Sequence, residues 1–215
     1  MERFVRLNVA VIPPKNVSDF AIEISKKFSR DLETEFALDG KEFNPHITCY
    51  PVEYPQRNLL KVSEYVESIA GEDRKFLVNL TGLEISQEGN AFSVGIAVVK
   101  NKEIDNLHRG IIEKLNPLRE GHLREVYKNP NYIEKFPPDK REIMKKILSD
   151  VGYARVLDVY DPHISITQFK PEVKRSDIDI PEFAIRKMPV SALGIFTMGE
   201  WGTCKKLLYK FPLKL

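Results

Sequence analysis

One short motif occurs twice in this sequence, and the duplication restricts the fold more than any other feature. Asn44-Pro45-His46-Ile47-Thr48 recurs as Asp161-Pro162-His163-Ile164-Ser165. In each copy a turn-forming pair ends in proline, which is tolerated at the first residue of a strand, and β-branched residues follow. Because side chains alternate between the two faces of a strand, the imidazole and the hydroxyl of each copy share one face. The two copies therefore predict a symmetric polar site between two sheets.

The same alternation identifies other side chains that we expect to line the site. Tyr50 and Thr167 lie two residues beyond the hydroxyl of each motif, and Arg6 and Asn8 share one face of a strand predicted over residues 4–12. Tyr50 would stack on a nucleobase, as aromatic residues do in single-strand binding sites. The alternative for Tyr50 is a place in the hydrophobic core, which is more usual for an aromatic side chain in a sheet.

Hydrophobic periodicity predicts an α+β chain. Apolar residues at helical spacing indicate one helix from about Ser18 and further helices over residues 58–70, 102–115 and 141–150. Alternating or β-branched segments predict a first motif strand that ends near Val52. They predict further strands over residues 75–86, 92–99, 163–169, 183–198 and 204–211. Gly71 is expected to follow the end of the second helix, because glycine tolerates the left-handed conformation found there.

The segments that follow the two motifs also resemble each other. Thr81-Gly82-Leu83-Glu84-Ile85 matches Ser191-Ala192-Leu193-Gly194-Ile195, and each precedes a hairpin turn. We therefore predict one domain over residues 1–215 with a duplicated bilobal α+β fold, in which two antiparallel sheets face each other across a central cleft and helices pack outside. Prolines interrupt the segment 117–158, which we predict to be a helical insertion. Its mild basic excess fits a solvated helix face at least as well as a phosphate-binding rim.

Composition limits the classes of function. Charged residues make up 30% and hydrophobic residues 42% of the chain, which is an ordinary globular balance. The net charge of +2 permits an anionic substrate but lacks the basic excess expected for non-specific nucleic-acid binding. The apolar runs are too short to cross a bilayer, and charges near the N-terminus argue against a signal peptide, so a cytoplasmic protein is expected. The two cysteines are too few for a disulfide framework or a zinc cage.

Two histidines with two neighbouring hydroxyls fit metal-free phosphodiester chemistry. Imidazole titrates near neutrality, so one histidine can take a proton from water while the other donates one to the leaving oxygen. Thr48 and Ser165 would hold the non-bridging phosphoryl oxygens. A magnesium or zinc site is disfavoured, because the motif strands supply no carboxylate on the histidine face. We expect His108 and His122 to be structural or surface residues and Cys49 to be a buried apolar residue, because they lack this context.

The two motifs resemble the paired His-x-Thr/Ser signatures of the 2H phosphoesterase superfamily, which includes 2′-5′ RNA ligase-like proteins and 2′,3′-cyclic nucleotide phosphodiesterases. The histidines are 117 residues apart, and the resemblance covers the organisation of most of the chain. Gly152-Tyr153 before the second motif and the closing Gly-Glu-Trp-Gly turn are similar to a bacterial branch of the superfamily. The resemblance implies a bilobal fold with a central cleft, no cofactor, and a catalytic set of His46, Thr48, His163 and Ser165.

By the same resemblance, we expect a metal-independent phosphodiesterase that acts on a ribose 2′,3′-cyclic phosphate or a 2′-5′ linkage of an RNA end or nucleotide. No membrane and no obligate protein partner are expected. For opening of a cyclic phosphate we expect His163 to be the base and His46 the acid, and these roles could exchange in RNA ligation or 3′-trimming. Two alternatives stay open: a non-catalytic RNA- or nucleotide-binding module that retains the cleft, and a histidine-ligated metallohydrolase.

Overall fold

The computed structural model describes residues 2–215, which fold into α-helices and an antiparallel sheet, as the α+β prediction requires. The strands are β1 (Phe4–Val11), β2 (Ile47–Pro55), β3 (Phe76–Glu88), β4 (Ala91–Val98), β5 (His163–Gln168), β6 (Lys187–Val190), β7 (Ala192–Met198) and β8 (Cys204–Pro212). The helices are α1 (Lys15–Asp31), α2 (Leu59–Glu72), α3 (Lys102–Leu115), α4 (Glu125–Lys128) and α5 (Arg141–Val151), with short 3-10 helices between them. Within the described range, no helix has both the length and the apolar character needed to cross a membrane.

Helix α3 has the bounds that its local signals predict. The side chain of Asn101 caps the helix by accepting a hydrogen bond from the backbone N–H of Ile104 at 2.9 Å. Glu103 and Asp105 lie in the first turn and Lys114 in the last, where each complements the helix dipole. A buried apolar stripe that includes Ile104 runs along one face, so capping and periodicity agree on the same segment.

Two predicted helix ends differ from the structure. Helix α1 begins at Lys15, directly after Pro14, and Ser18 lies in its first turn, where its hydroxyl donates to the carbonyl of Pro13 at 3.2 Å. The extended Pro14 is compatible with a helix start, so no serine cap is required. Gly71 lies inside α2, because the helix continues to Glu72.

The strands form one sheet in the order β6-β3-β4-β5-β2-β1-β7-β8, instead of the two separate sheets expected from the sequence. Its two central strands, β2 and β5, pair through Ile47 and Ile164 alone. Neighbouring strands elsewhere share between four and eight paired residues. The sheet therefore consists of two four-stranded halves that are joined at one point.

Each half of the sheet combines the motif strand of one sequence repeat with the hairpin of the other repeat. The first motif strand, β2, lies in the half that contains β7 and β8, and the second, β5, lies with β3 and β4. The predicted strand 183–198 is two strands: β6 pairs with β3, whereas β7, one residue later, pairs with β1. Local patterns identify strands but not their partners, so the sequence repeat does not coincide with a half of the sheet.

The apolar face of the sheet is buried beneath the helices. Ile47, Ile164 and Ile195 belong to a continuous core that also includes buried residues of α1, α2 and α3. Ser25 of α1 donates a hydrogen bond to the carbonyl of Ile166 at 2.8 Å, which ties this helix to β5. The opposite face, called the polar face below, carries polar side chains together with a small apolar cluster of Ala10, Phe196 and Cys204.

The segment 117–158 contains α4, α5 and several 3-10 turns around a small apolar cluster of its own, made of Phe136, Met144, Leu148 and Ala154. Gly152 follows α5 in the left-handed conformation with φ of +78°, and a Cβ atom there would lie 2.8 Å from the Arg119 side chain. Arg119 is buried and donates to the carbonyl oxygens of His122 and Asp150. The segment 117–158 is thus held together by polar contacts as well as by its apolar cluster.

Candidate active site

The two motif histidines flank the junction between the halves of the sheet. His46 and His163 directly precede Ile47 and Ile164, the residues through which β2 and β5 pair. Continuing this antiparallel register by one residue sets His46 across from Ser165 and His163 across from Thr48. The fold therefore brings together the four side chains that the sequence motifs single out.

Both histidines are oriented in the same way. Nδ1 of His46 lies 2.8 Å from the carbonyl oxygen of Asn44, and Nδ1 of His163 lies 2.9 Å from that of Asp161. A carbonyl can only accept, so each Nδ1 carries a proton and donates it. In the neutral tautomer each Nε2 is therefore left with a lone pair that can accept a proton from a ligand.

Strand β2 contains a bulge directly after its motif. Thr48 pairs with Ala10 of β1, and Tyr50 pairs with Val9, so that β2 has one extra residue, Cys49, between two consecutive residues of β1. Residues that face each other across two strands share a side of the sheet. Thr48 therefore lies on the polar face, whereas Tyr50 lies on the core face.

Strand β5 contains a bulge at the equivalent position. Ser165 pairs with Gly95 of β4, and Thr167 pairs with Val94, so that Ile166 is the extra residue. As on β2, the residue four positions after the histidine is moved to the core face. The two motif strands therefore share their conformation as well as their sequence.

Because of these bulges, neither Tyr50 nor Thr167 lines the site. The prediction from side-chain alternation is wrong for both residues. Tyr50 is 0% exposed, and its hydroxyl donates to the carbonyl of Val151 at 2.6 Å. Thr167 is 1% exposed and donates to the carbonyl of Phe36 at 2.7 Å. An extra residue in a strand reverses the alternation beyond it, and no local sequence signal revealed the two bulges.

Asn8 lies on the polar face, as predicted, and contacts Thr48 directly. Its Nδ2 donates to Oγ1 of Thr48 at 3.0 Å and to Sγ of Cys204 at 3.4 Å. The Asn8 side chain is fully buried, and its Oδ1 has no hydrogen-bond partner among the described residues. Because Oγ1 of Thr48 accepts this hydrogen bond, the hydroxyl proton of Thr48 is free to be donated elsewhere.

Arg6 also lies on the polar face, two residues before Asn8 on β1. Its Nη1 donates to the carbonyl of Gly199 at 2.7 Å. Glu53 pairs with Arg6 across β1 and β2, and Gln168 pairs with Ser93 beside Ser165, so both lie on the same face beyond the bulges. The alternation of side chains in the sequence does not reveal Glu53 and Gln168, because the same two bulges reverse it beyond Tyr50 and Thr167.

The two histidines occupy different environments. His46 is 6% exposed, and burial lowers its pKa to about 4, with the nearby charge of His163 adding to the decrease. The hydrogen bond between Nδ1 and the backbone carbonyl of Asn44 opposes this shift. His163 is exposed, and the Gly95 backbone lies beside it, since a Cβ on Gly95 would be 3.8 Å from its Cδ2 atom.

The other sequence candidates are structural, as expected. Nδ1 of His108 lies 2.9 Å from the carbonyl of Cys49, and its Nε2 accepts from the backbone N–H of Leu157 at 2.8 Å. Burial lowers the pKa of His108 to about 4 and raises the pKa of Cys49 to about 12, so the thiol is not a nucleophile. Among residues 2–215, no group of three or more His, Cys, Asp or Glu side chains is arranged to hold a metal ion.

His122 is more than a surface residue. Its Nε2 lies 2.8 Å from Oε2 of Glu53, and its ring stacks on Phe4 with centroids 3.7 Å apart. Arg124 also approaches Glu53, with Nε 3.5 Å from Oε1. The segment 117–158 therefore contacts the start of β1 and the end of β2, next to Arg6.

Comparison with solved structures identifies the fold. TT0787 of Thermus thermophilus is 16% identical, with 97% of each chain covered and a TM-score of 0.57. E. coli LigT complexed with phosphate is 15% identical over the whole of both chains, with a TM-score of 0.57. A structure described as a phosphoesterase is 14% identical over 99% of this chain and all of its own, with a TM-score of 0.56.

No family model matches the chain, and no curated protein matches it in sequence. At identities this low, the similarity to the solved structures concerns the fold alone. It extends over the full length of the chain, including both motif strands. The chain therefore shares the fold of these solved structures, including E. coli LigT.

Proposed function

We propose that this protein is a metal-independent phosphodiesterase that acts on ribose 2′,3′-cyclic phosphates or 2′-5′ phosphodiester bonds of nucleotides or RNA ends. One observation carries the proposal: two histidines with the same Nδ1 anchoring flank the junction at Ile47 and Ile164, each with a hydroxyl on its face. Paired proton-transfer groups beside hydroxyl donors suit a reaction in which a phosphoryl group gains charge while an oxygen leaves.

The proton transfers are assigned from burial. His46 is neutral at pH 7, because burial lowers its pKa to about 4, and its Nε2 takes a proton from the attacking water. The water oxygen then forms a bond to phosphorus while the bond from phosphorus to a ribose oxygen breaks. That ribose oxygen receives a proton from Nε2 of His163. The cycle closes when His46 releases its proton to solvent and His163 takes one up from solvent. This assignment reverses the roles expected from the sequence.

Thr48 and Ser165 are the proposed donors to the non-bridging phosphoryl oxygens. Thr48 accepts a hydrogen bond from Asn8, so its own hydroxyl proton is available to an acceptor on the substrate. Ser165 is partly exposed beside Gly95, whose missing side chain leaves room above β4. Donors placed in advance of the reaction stabilise the developing charge without reorganising.

The solved structures support the nucleotide class of substrate. E. coli LigT was crystallised with phosphate, with ATP and with 3′-AMP, and its fold is that of this chain. A phosphate site next to a nucleoside site is what a cyclic nucleotide or a 2′-5′ dinucleotide needs. We carry this ligand class over as part of the proposal.

The test is a substrate panel in the presence of EDTA. Purified protein is assayed with 2′,3′-cyclic nucleotides, 2′-5′ dinucleotides and an ADP-ribose cyclic phosphate, together with His46→Ala and His163→Ala. We expect turnover by the wild type and a decrease of about 10²- to 10⁴-fold in each variant. Binding without turnover of any substrate would instead identify a nucleotide-binding module. Activity that EDTA abolishes and zinc restores would identify a metallohydrolase.

A further inference from the structure

Arg6 carries a charge that no carboxylate neutralises within residues 2–215. Its guanidinium is partly buried and forms no ion pair there, and its Nη1 donates to a neutral acceptor, the carbonyl of Gly199. Burial lowers the pKa of Arg6, which reflects the cost of removing this charge from water. A partly buried cation without an anion is expected where an anionic ligand completes the site.

Glu53, the carboxylate opposite Arg6 on the neighbouring strand, is already engaged by the segment 117–158. Glu53 pairs with Arg6 in the sheet register, but its two oxygens contact Nε2 of His122 and Nε of Arg124. The nearby charge of Arg124 lowers the pKa of Arg6 further, and Glu53 is among the groups that oppose this change. Both oxygens of Glu53 are therefore occupied by His122 and Arg124, and Arg6 forms no ion pair with this carboxylate.

Arg6, which together with Arg124 makes this region positive, lies on the polar face of the sheet with the motif residues. Arg6 precedes Asn8 by two residues on β1, a separation of about 7 Å along a strand, and Asn8 contacts Thr48. The turn at residues 199–203 connects the two places, because Gly199 accepts from Arg6 while the backbone of Gly202 contacts His46. A 5′-phosphate and a 2′,3′-cyclic phosphate on the same ribose are separated by a similar distance.

We propose that Arg6 and Arg124 form a second anion subsite, which binds a phosphate of the substrate other than the one that reacts. The preferred substrate is then a nucleotide with a phosphate at each end of the ribose, such as a 5′-phosphorylated nucleoside 2′,3′-cyclic phosphate. Guanidinium groups suit this role, since they bind phosphate oxygens through paired N–H donors. His122, stacked on Phe4, holds the insertion in place for this contact.

This inference rests on the proposed function, and a matched pair of substrates tests it. Adenosine 2′,3′-cyclic phosphate with and without a 5′-phosphate is compared by kcat/KM. We expect the wild type to favour the 5′-phosphorylated form by about 10- to 100-fold, the range expected for charge-assisted hydrogen bonds to one phosphate. Arg6→Gln and Arg124→Gln should each remove most of this preference, so that the two substrates react with similar kcat/KM in each variant.

Lys128→Gln is the matched control, because it removes one positive charge from α4, the helix that begins directly after Arg124. Lys128 is exposed and pairs with Glu125, so both substrates should react as they do with the wild type. Arg6→Lys keeps the charge but loses the paired donors, and it should retain part of the preference. Thermal unfolding of each variant establishes that the fold is retained.

Two results would overturn the subsite. One is an equal loss on both substrates in Arg6→Gln, which would place Arg6 on the reacting phosphate. The other is a wild type without any preference for the 5′-phosphate. If no cyclic nucleotide is turned over, calorimetry with AMP and adenosine tests the subsite without catalysis. Tighter binding of AMP than of adenosine, lost in Arg6→Gln, supports the subsite. Equal affinities of the wild type for AMP and adenosine contradict it.

Discussion

Ile47 and Ile164 form the antiparallel pair through which the two halves of the sheet meet, and both side chains are fully buried in the core. The histidine before each isoleucine consequently emerges at the same junction, on the opposite face. A single backbone contact thus determines how the two motifs face each other. The chemistry that we propose depends on this contact, because neither motif alone supplies both a proton acceptor and a proton donor.

The first prediction concerns the protonation of His46. Since burial lowers its pKa to about 4, the imidazole should stay neutral down to that pH, and kcat/KM should decrease only as the pH falls through about 4. NMR titration of the imidazole resonances, with His46→Gln for assignment, measures the same value directly. Titration of His46 at or above pH 6.5 would contradict its assignment as the base.

The second prediction is a loss of stability in mild acid. The pKa values of His46 and His108 are lowered from 6.5 to about 4 in the folded protein, so the unfolded chain binds more protons between these values. As the pH falls from 6.5 to 4, each of these two histidines should therefore lower the free energy of unfolding by roughly 3 kcal/mol. Urea denaturation at about pH 7 and about pH 4.5 measures the change, and His108→Asn should reduce it. An equal pH dependence in His108→Asn and wild type would argue against the assigned protonation state.

The third prediction assigns a positioning role to Asn8. Loss of its hydrogen bond to Thr48 in Asn8→Ala should lower kcat by roughly 10-fold, with little change in KM. Asn8→Ala should have no further effect when Thr48→Ala is already present, because both changes remove the same oriented hydroxyl. Ser68→Ala on α2 is the control, since Ser68 is exposed and bonds to Glu72. Additive losses in the double variant would show that Asn8 acts independently of Thr48.

The fourth prediction separates the two roles considered for Tyr50. Its hydroxyl donates to Val151 and its ring is buried, so Tyr50→Phe should lower the free energy of unfolding by about 1 kcal/mol. Because the residue lies on the core face, kcat/KM should not change. A selective increase in KM with unchanged stability would favour the stacking role instead.

The fifth prediction uses two glycines in different conformations. Gly152→Ala should destabilise the protein by about 1–3 kcal/mol, because φ is +78° and the new Cβ would lie 2.8 Å from Arg119. Gly110→Ala on α3 is the matched control, since no atom lies within 4 Å of its Cβ position. There the change should be stabilising by about 0.5–1 kcal/mol. Similar melting temperatures for the two variants would contradict the strain at Gly152.

Local signals in the sequence determined most of the helices and strands and singled out the residues that we propose for the site. The bounds of α3 follow from the Asn101 cap and an apolar stripe, which involve only neighbouring residues. The duplicated motifs identify His46 and His163 in the same way, because proline, histidine and hydroxyl positions are local facts. A structural role for His108 also follows from the lack of such a motif around it.

Tertiary structure alone decided how these elements meet and what environment each side chain has. The bulges that move Tyr50 and Thr167 into the core, and the exchange of hairpins between halves, result from pairing between residues far apart in the chain. The burial that separates His46 from His163, and the approach of Arg124 to Arg6, likewise arise only once the chain is packed. Alternation and periodicity describe one segment at a time, whereas strand register and electrostatic environment depend on which segments come into contact.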